Sequence, residues 1–244
     1  MGSDILSFIA SGWYYILGAM VIAYLLGSLN FSIVITKLVD NGADIRKMGS
    51  GNAGFTNVLR SVGKGPAVAT IVLDFLKGIA AALVGAFFFS MIPSGNLPVA
   101  EMMCYGKYIA GFCCILGHIF PLFFGFRGGK GVVTAAALAA VADWRVFAIV
   151  IPVFIVVVLI TKIVSIGSLI AAVLYPVVTV SFSFFADYLP SLTTETPHSV
   201  FYVIVTTAFA LAVCICIFVM HKENIKRLRN GTEKKLTAKK KEQP

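Results

Sequence analysis

The sequence predicts an all-α fold: a polytopic transmembrane helical bundle of about seven helices, with its N-terminus outside and its C-terminus cytoplasmic. Three observations carry that expectation. Of the 244 residues, 59% are hydrophobic and only 13% charged, where soluble domains run at roughly 45–50% and about 25%, and the mean hydropathy is +0.92. A soluble fold of this length could not bury so much apolar side chain, so lipid must solvate much of it. The apolar residues also fall in runs of the length that a ~30 Å hydrocarbon core demands of a helix. Finally, the basic residues sort to one side of those runs.

In chain order the spans are expected at 13–36, 67–90, 108–126, 146–161, 163–187 and 200–220. A seventh, short helix at 132–142 is expected to be half-buried or tilted. Hydropathy alone also allows five full spans with broken pieces. The first run starts near Trp13 and is long enough to span, so no cleavable leader is expected. With the N-terminus outside, every one of the 20 Lys and Arg except Lys77, Lys107 and Arg145 falls on the inner side. Lys107 and Arg145 go to the outer side, and Lys77 lies within a span. The outer segments 94–101 and 187–198 are acidic or neutral. Topology thus accounts for the net charge of +9 with no need of nucleic acid. Residues 1–233 are expected to form a single integral membrane domain, and 234–244 a disordered basic cytoplasmic tail over anionic headgroups. The five cysteines (Cys104, Cys113, Cys114, Cys214 and Cys216) sit in or beside apolar runs without metal-ligand spacing. They read as small buried hydrophobes, and neither a metal nor a cofactor is expected.

Polar residues gather on the inner side in three places. The loop between the first two spans carries Gly-Ser-Gly-Asn-Ala-Gly at 49–54, which satisfies G-x-G-x-x-G. A dinucleotide-binding turn needs a strand before the glycines and a βαβ unit around them. Here a charged loop precedes them and another span follows soon after, so that reading fails. The small residues Gly51 and Gly54 let main-chain N–H groups face an anion. Ser50, Asn52, Thr56 and Asn57 add neutral polar groups, and Arg60 adds a planar fork suited to phosphate. A plain glycine connector would not require that polar cluster.

The second place is Gly128-Gly129-Lys130-Gly131, directly before a strong helix former. It would bring unpaired N–H groups, a positive helix end and an ammonium to one point. It is not a Walker A loop, because Phe124 stands where the first glycine belongs and Gly131 where Ser or Thr would bind magnesium. Phosphate binding is expected, nucleotide hydrolysis is not. The third place follows the last span. On a continuing helix His221, Asn224 and Leu228 would share a face, with Glu223 and Arg227 paired at i,i+4. His221 there fits a headgroup contact as well as a catalytic base. Ser165 and Ser168, just after Lys162, could donate to phosphate or bond their own backbone. Within the second span Asp74 and Lys77 stand three apart, and a buried ion pair that orders the bundle is preferred to substrate contact.

At these clusters the sequence resembles the PlsY family, the bacterial acyl-phosphate-dependent glycerol-3-phosphate acyltransferases. The Gly-Ser-Gly-Asn loop ending in Thr-Asn and Arg is matched at 49–60, and Asp-x-x-Lys-Gly at Asp74, Lys77 and Gly78. Gly-His-x-x-Pro followed by Gly-Gly-Lys-Gly is matched at 117–131, and His-x-x-Asn-Ile-x-Arg-Leu-x-x-Gly-x-Glu at 221–233. Phe55 departs from the family's usual Ala, which bears on how the loop packs, and the Lys-rich tail is an extra. The likeness covers roughly residues 20 to 233.

The resemblance implies transfer of a fatty acyl group from acyl phosphate to the 1-hydroxyl of sn-glycerol 3-phosphate. The products would be lysophosphatidic acid and phosphate, made at the bacterial cytoplasmic (inner) membrane with the site facing the cytoplasm. It also implies a transient contact with the soluble enzyme that makes acyl phosphate. None of His118, His198 or His221 is followed by Asp at the His-x-x-x-x-Asp spacing of acyl-CoA-dependent transferases. In this reading Lys130, His221, Asn224 and Arg60 are catalytic, and Ser50, Gly51, Asn52, Gly54, Thr56, Asn57, Gly128, Gly129, Gly131 and Ser165 bind substrates. The Ser50–Asn57 loop would cradle the acyl phosphate's phosphate, while Lys130, Arg60, Ser165 and His221 would hold glycerol 3-phosphate and Asn224 would orient the reacting groups. The proton acceptor is either His221 or an oxygen of the leaving phosphate. A transporter of organic phosphates would call for internal repeats and midplane sites, and a headgroup-binding scaffold would leave the glycine loops unexplained.

Overall fold

The computed structural model describes residues 2–93 and 97–236, with side-chain surroundings from residue 10 onward. The expected disordered tail, from 237 to its end, and residues 94–96 of the outer segment lie outside the described residues. Among the described residues there are helices and no strands. Six helical stretches are long and apolar enough to cross a membrane, and Val132–Ala142 is a shorter apolar helix beside them.

The first run is broken. Helix α1 (Gly2–Ser28) stops, and α2 (Phe31–Val39) restarts after Asn30, whose side-chain oxygen accepts from the Ile33 N–H at 3.3 Å. That bond is an N-cap, which satisfies one of the donors a helix start leaves unpaired. A short helix α3 (Phe55–Ser61) then leads to α4 (Lys64–Ser90). Helix α5 (Val99–Ile119) begins well before the expected span, so Lys107 and Glu101 lie on a helix and not in an outer loop. Pro98, in extended conformation, stands at its N-cap position. Next come α6 (Val132–Ala142), α7 (Trp144–Thr161) and α8 (Val164–Ser181). Helix α8 passes through a π-helical stretch, Phe182–Tyr188, into the single turn α9 (Leu189–Ser191). Helix α10 (Val200–Met220) ends at His221, and α11 (Lys222–Arg229) follows.

Small residues set how closely these helices approach, as expected where lipid supplies no hydrophobic drive between them. A Cβ on Gly85 would lie 2.0 Å from the Gly106 carbonyl oxygen, so α4 and α5 touch backbone to backbone. The Asp74–Lys77 pair is present at 2.7 Å, with each side chain 3% exposed. Lys77 also donates to the carbonyls of Gly27 (3.0 Å) and Leu29 (2.7 Å), tying α4 to the break after α1.

Charged groups collect at both ends of the bundle, for different purposes. At one end Arg145 bridges Asp143 and Asp187, each at 2.7 Å, and Tyr202 donates to Asp187 at 3.0 Å. Buried Glu101 accepts from Tyr105 and from the hydroxyl and main-chain N–H of Ser199. These contacts lock helix ends together. The loops after α2, α5, α7 and α10 meet at the other end. Of the cysteines, Cys104, Cys113 and Cys114 are buried on α5, and Cys214 and Cys216 partly so on α10.

Candidate active site

The first loop is organised from within. Asn57, 2% exposed, accepts from the Ser50 N–H at 3.0 Å. Its amide nitrogen donates to the carbonyls of Ile45 (3.1 Å), Met48 (3.0 Å) and Asn52 (3.0 Å). Gly49 must be glycine: its φ is +57°, and a Cβ would lie 2.2 Å from Asn57 Oδ1. The N–H groups of Ser50, Gly51 and Gly54 are thus engaged inside the loop. Those of Asn52, Ala53, Phe55 and Thr56 have no hydrogen-bond partner among the described residues. Ser50 and Gly51 are exposed, and Asn52, Gly54 and Thr56 half-buried. Phe55 packs against the buried cluster of Ile33, Ile45, Ala53, Val58 and Ala67.

Lys130 lies on a turn whose glycines work differently from the expectation. The N–H groups of Gly128 and Gly129 are not free for an anion: they donate to Ile119 (3.0 Å) and His118 (3.1 Å) carbonyls at the end of α5. Orphan carbonyls at a helix C-terminus are the nearest acceptors for such a turn. Gly128 and Gly129 serve close packing, since a Cβ on Gly128 would lie 2.0 Å from the His118 carbonyl oxygen. Gly131, with φ +78°, opens α6.

The third cluster folds onto Lys130. His221 leaves the helix (φ −100°, ψ 8°), so α10 and α11 are separate helices and not one continuous one. Lys130 Nζ donates to Asn224 Oδ1. The Asn224 amide donates to Glu233 Oε1 at 2.5 Å, Ser165 Oγ donates to the same oxygen at 2.9 Å, and Arg227 Nε donates to Glu233 Oε2 at 2.6 Å. Arg227 therefore pairs with Glu233, not with Glu223, because the chain turns back at Gly231 (φ +67°) and brings a buried carboxylate within reach. Arg60 donates to the carbonyls of Lys234 and Lys235, each at 2.9 Å, while its Nε is buried with no partner among the described residues. Ser168 bonds its own helix through the Val164 carbonyl at 3.0 Å.

So Lys130, Asn224, Ser165, Arg60 and His221 come together, joined by two residues that sequence reasoning left out of the site, Glu233 and Arg227. The Gly231 turn after a basic helix was the available signal for both. Asp74 and Lys77 stand apart, inside the bundle.

The electrostatics follow from burial. Burial, then the nearby Arg227 and Arg60 guanidinium groups, pushes the Lys130 ammonium down to about 8 despite Glu233. Burial likewise lowers Arg60. Burial would raise the Glu233 carboxyl, but hydrogen bonds from Arg227, Asn224 and Ser165 outweigh it and hold it below the usual range. For His221, burial and then Lys130 lower the ring to about 4. Its Nδ1 donates to the Ile217 carbonyl at 2.7 Å, which leaves Nε2 as an acceptor. Such a cluster of cations and neutral donors suits a phosphate and keeps a neutral imidazole beside it. Among the described residues no group of three or more His, Cys, Asp or Glu is placed to hold a metal ion.

The family model described as glycerol-3-phosphate acyltransferase matches residues 17–231. The glycerol-3-phosphate acyltransferases of Brucella canis and Brucella abortus are each 36% identical over 224 residues, covering 92% of this chain and 94% of theirs. Among solved structures, the glycerol 3-phosphate form of PlsY (YgiH), an integral membrane glycerol 3-phosphate acyltransferase, superposes with a TM-score of 0.72. It is 33% identical, with 91% of this chain and 96% of that one covered. The lysophosphatidic acid form gives 0.69 at 33% identity, with 90% and 94% covered.

Proposed function

The chain belongs to the glycerol-3-phosphate acyltransferase family, and from that premise we propose that it moves a fatty acyl group from acyl phosphate to the 1-hydroxyl of sn-glycerol 3-phosphate. The hydroxyl oxygen bonds to the acyl carbonyl carbon, the bond from that carbon to the phosphate oxygen breaks, and lysophosphatidic acid and inorganic phosphate leave. The observation that carries this reading is the convergence of Ser165 and Asn224 on one anion, the Glu233 carboxylate, with Lys130 bonded to Asn224 and a buried Arg60 Nε that lacks a partner beside them. A buried unsatisfied donor calls for an explanation, and beside two further cations a bound anion supplies one. A substrate phosphate supplies the acceptor oxygens.

In the proposed site, Lys130, Arg60, Ser165 and His221 hold glycerol 3-phosphate and Asn224 orients it. The 49–57 loop receives the acyl phosphate through Ser50, Asn52, Gly54 and Thr56, with Asn57 shaping the loop. The acyl chain lies among the spans, and the site faces the cytoplasm at the bacterial inner membrane. Acyl phosphate already has a good leaving group, so the protein's task is to bring two anions together and align them. Orientation can supply about 7–11 kcal/mol of barrier lowering, and fixed donors add to it. A base held at about 4 removes a hydroxyl proton poorly, whereas a phosphate oxygen titrates near ~6. His221 Nε2 therefore orients the hydroxyl, and the leaving phosphate takes the proton.

Purified protein in detergent, given acyl phosphate and glycerol 3-phosphate, should release phosphate and lysophosphatidic acid in equal amounts. Turnover with acyl-CoA or acyl carrier protein as donor, and none with acyl phosphate, would overturn the donor assignment.

A further inference from the structure

His118 has no place among the substrate contacts above, yet it touches the turn that carries Lys130 from two directions. The residue is 4% exposed in the last turn of α5. Its Nδ1 lies 3.1 Å from Lys77 Nζ, and Lys77 is held in turn by Asp74 and by the Gly27 and Leu29 carbonyls. Asp74 Oδ1 faces the same nitrogen at 3.6 Å, so both members of the pair hold this edge of the ring. The ring therefore has one orientation. Its Nε2 edge lies against Gly129: a Cβ there would be 2.2 Å from Nε2 and 2.4 Å from the Ala53 carbonyl oxygen. Gly129 fills a slot between the imidazole and the first loop. The His118 carbonyl also accepts the Gly129 N–H at 3.1 Å. Lys130 is the next residue.

We propose that His118 is a positioning residue: held by the Asp74–Lys77 pair, it fixes the Gly128-Gly129 turn against the Ala53 loop and so sets where the Lys130 ammonium meets glycerol 3-phosphate. The proposal rests on Lys130 being a glycerol 3-phosphate contact. The ion pair inside the bundle thereby acquires a task at the site. It is the fixed anchor of a short chain that runs from Asp74 and Lys77 through His118 and Gly129 to Lys130. A phosphate contact displaced by about 1 Å loses up to ~100-fold in productive binding, so this anchor would be felt in substrate affinity first.

The test compares His118→Ala and His118→Gln with the unaltered protein in steady-state kinetics, thermal melting and titration calorimetry with glycerol 3-phosphate. Removing the ring should raise the KM and Kd for glycerol 3-phosphate about tenfold while kcat stays within about threefold. His118→Gln, whose amide nitrogen reaches the Nε2 position, should bring both back to within about threefold of the starting value. A KM and Kd unchanged in His118→Ala, whatever happens to the melting temperature, would overturn the proposal, as would an equal rise in both variants. If His118→Ala does not accumulate as folded protein, the cycle of His118→Gln with Gly129→Ala carries the test. Coupling of threefold or more supports the slot, and additivity overturns it. Acyl transfer by the unaltered protein is scored separately. Its failure would sink the reading of the reaction, while calorimetry still reads the placement of Lys130.

Discussion

Replacing Lys130 with methionine should separate activity from stability. The ammonium is half-buried and its basicity has fallen from 10.5 to about 8. A cation whose pKa is lowered by folding binds its proton less tightly in the folded state than in the unfolded chain. At pH 7 the charged lysine therefore costs stability, by at most a few kcal/mol, and that cost disappears as pH rises from about 8 towards 10.5. Lys130→Met removes the cost and keeps the apolar stem, so its melting temperature at pH 7 should equal or exceed that of the starting protein. Activity should move the other way. A charge-assisted contact is worth about 1.5–3 kcal/mol, and stranding its buried anionic partner raises the loss to about 3–5 kcal/mol. That loss corresponds to a fall of roughly 10²–10⁴ in kcat/KM for glycerol 3-phosphate. Scanning fluorimetry in detergent and phosphate-release kinetics read the two quantities on one preparation. A variant within threefold of the original kcat/KM, or one whose activity falls only in step with its melting temperature, would refute the reasoning.

Lys130 loses its charge as pH rises, so kcat/KM for glycerol 3-phosphate should decline above about pH 8, and Lys130→Arg should move that limb out of range in a pH–rate profile. His221 is neutral above about pH 4, so no acidic limb near pH 6.5 should vanish in His221→Asn. Glu233→Gln replaces the ion pair with Arg227 by a weaker neutral contact and should cost about 1–3 kcal/mol, read as a lowered melting temperature with Ser165 and Asn224 misplaced. Asn57→Leu strands the Ser50 N–H and leaves the Ile45, Met48 and Asn52 carbonyls with only their backbone donors. It should destabilise by about 2–4 kcal/mol, whereas variants at exposed Ser50 should change kinetics and leave melting alone.

The helices and the meeting of the polar loops were legible because long apolar runs and charge asymmetry follow directly from the bilayer. The break at Asn30 was not, since hydropathy runs through it and only the cap geometry marks it. Asp74 and Lys77 announce a pair by their spacing on one helix. Their third partner, His118, lies on another helix and emerges only once α4 and α5 are packed. Gly128 and Gly129 look like anion donors in the sequence because composition cannot tell an N–H that faces a ligand from one that caps a neighbouring helix. In the sequence Glu233 is only the end of a motif, because its role depends on the chain folding back at Gly231. Local chemistry was readable, and long-range partnership was not.

The proposed reaction is direct attack by the glycerol phosphate hydroxyl on an acyl carbon, at a site that holds both phosphates. Glycerol 3-phosphate labelled with ¹⁸O in its 1-hydroxyl tests this most directly. The label should appear in the ester oxygen of lysophosphatidic acid, with released phosphate unlabelled. Label in the phosphate, or an unlabelled ester, would contradict it.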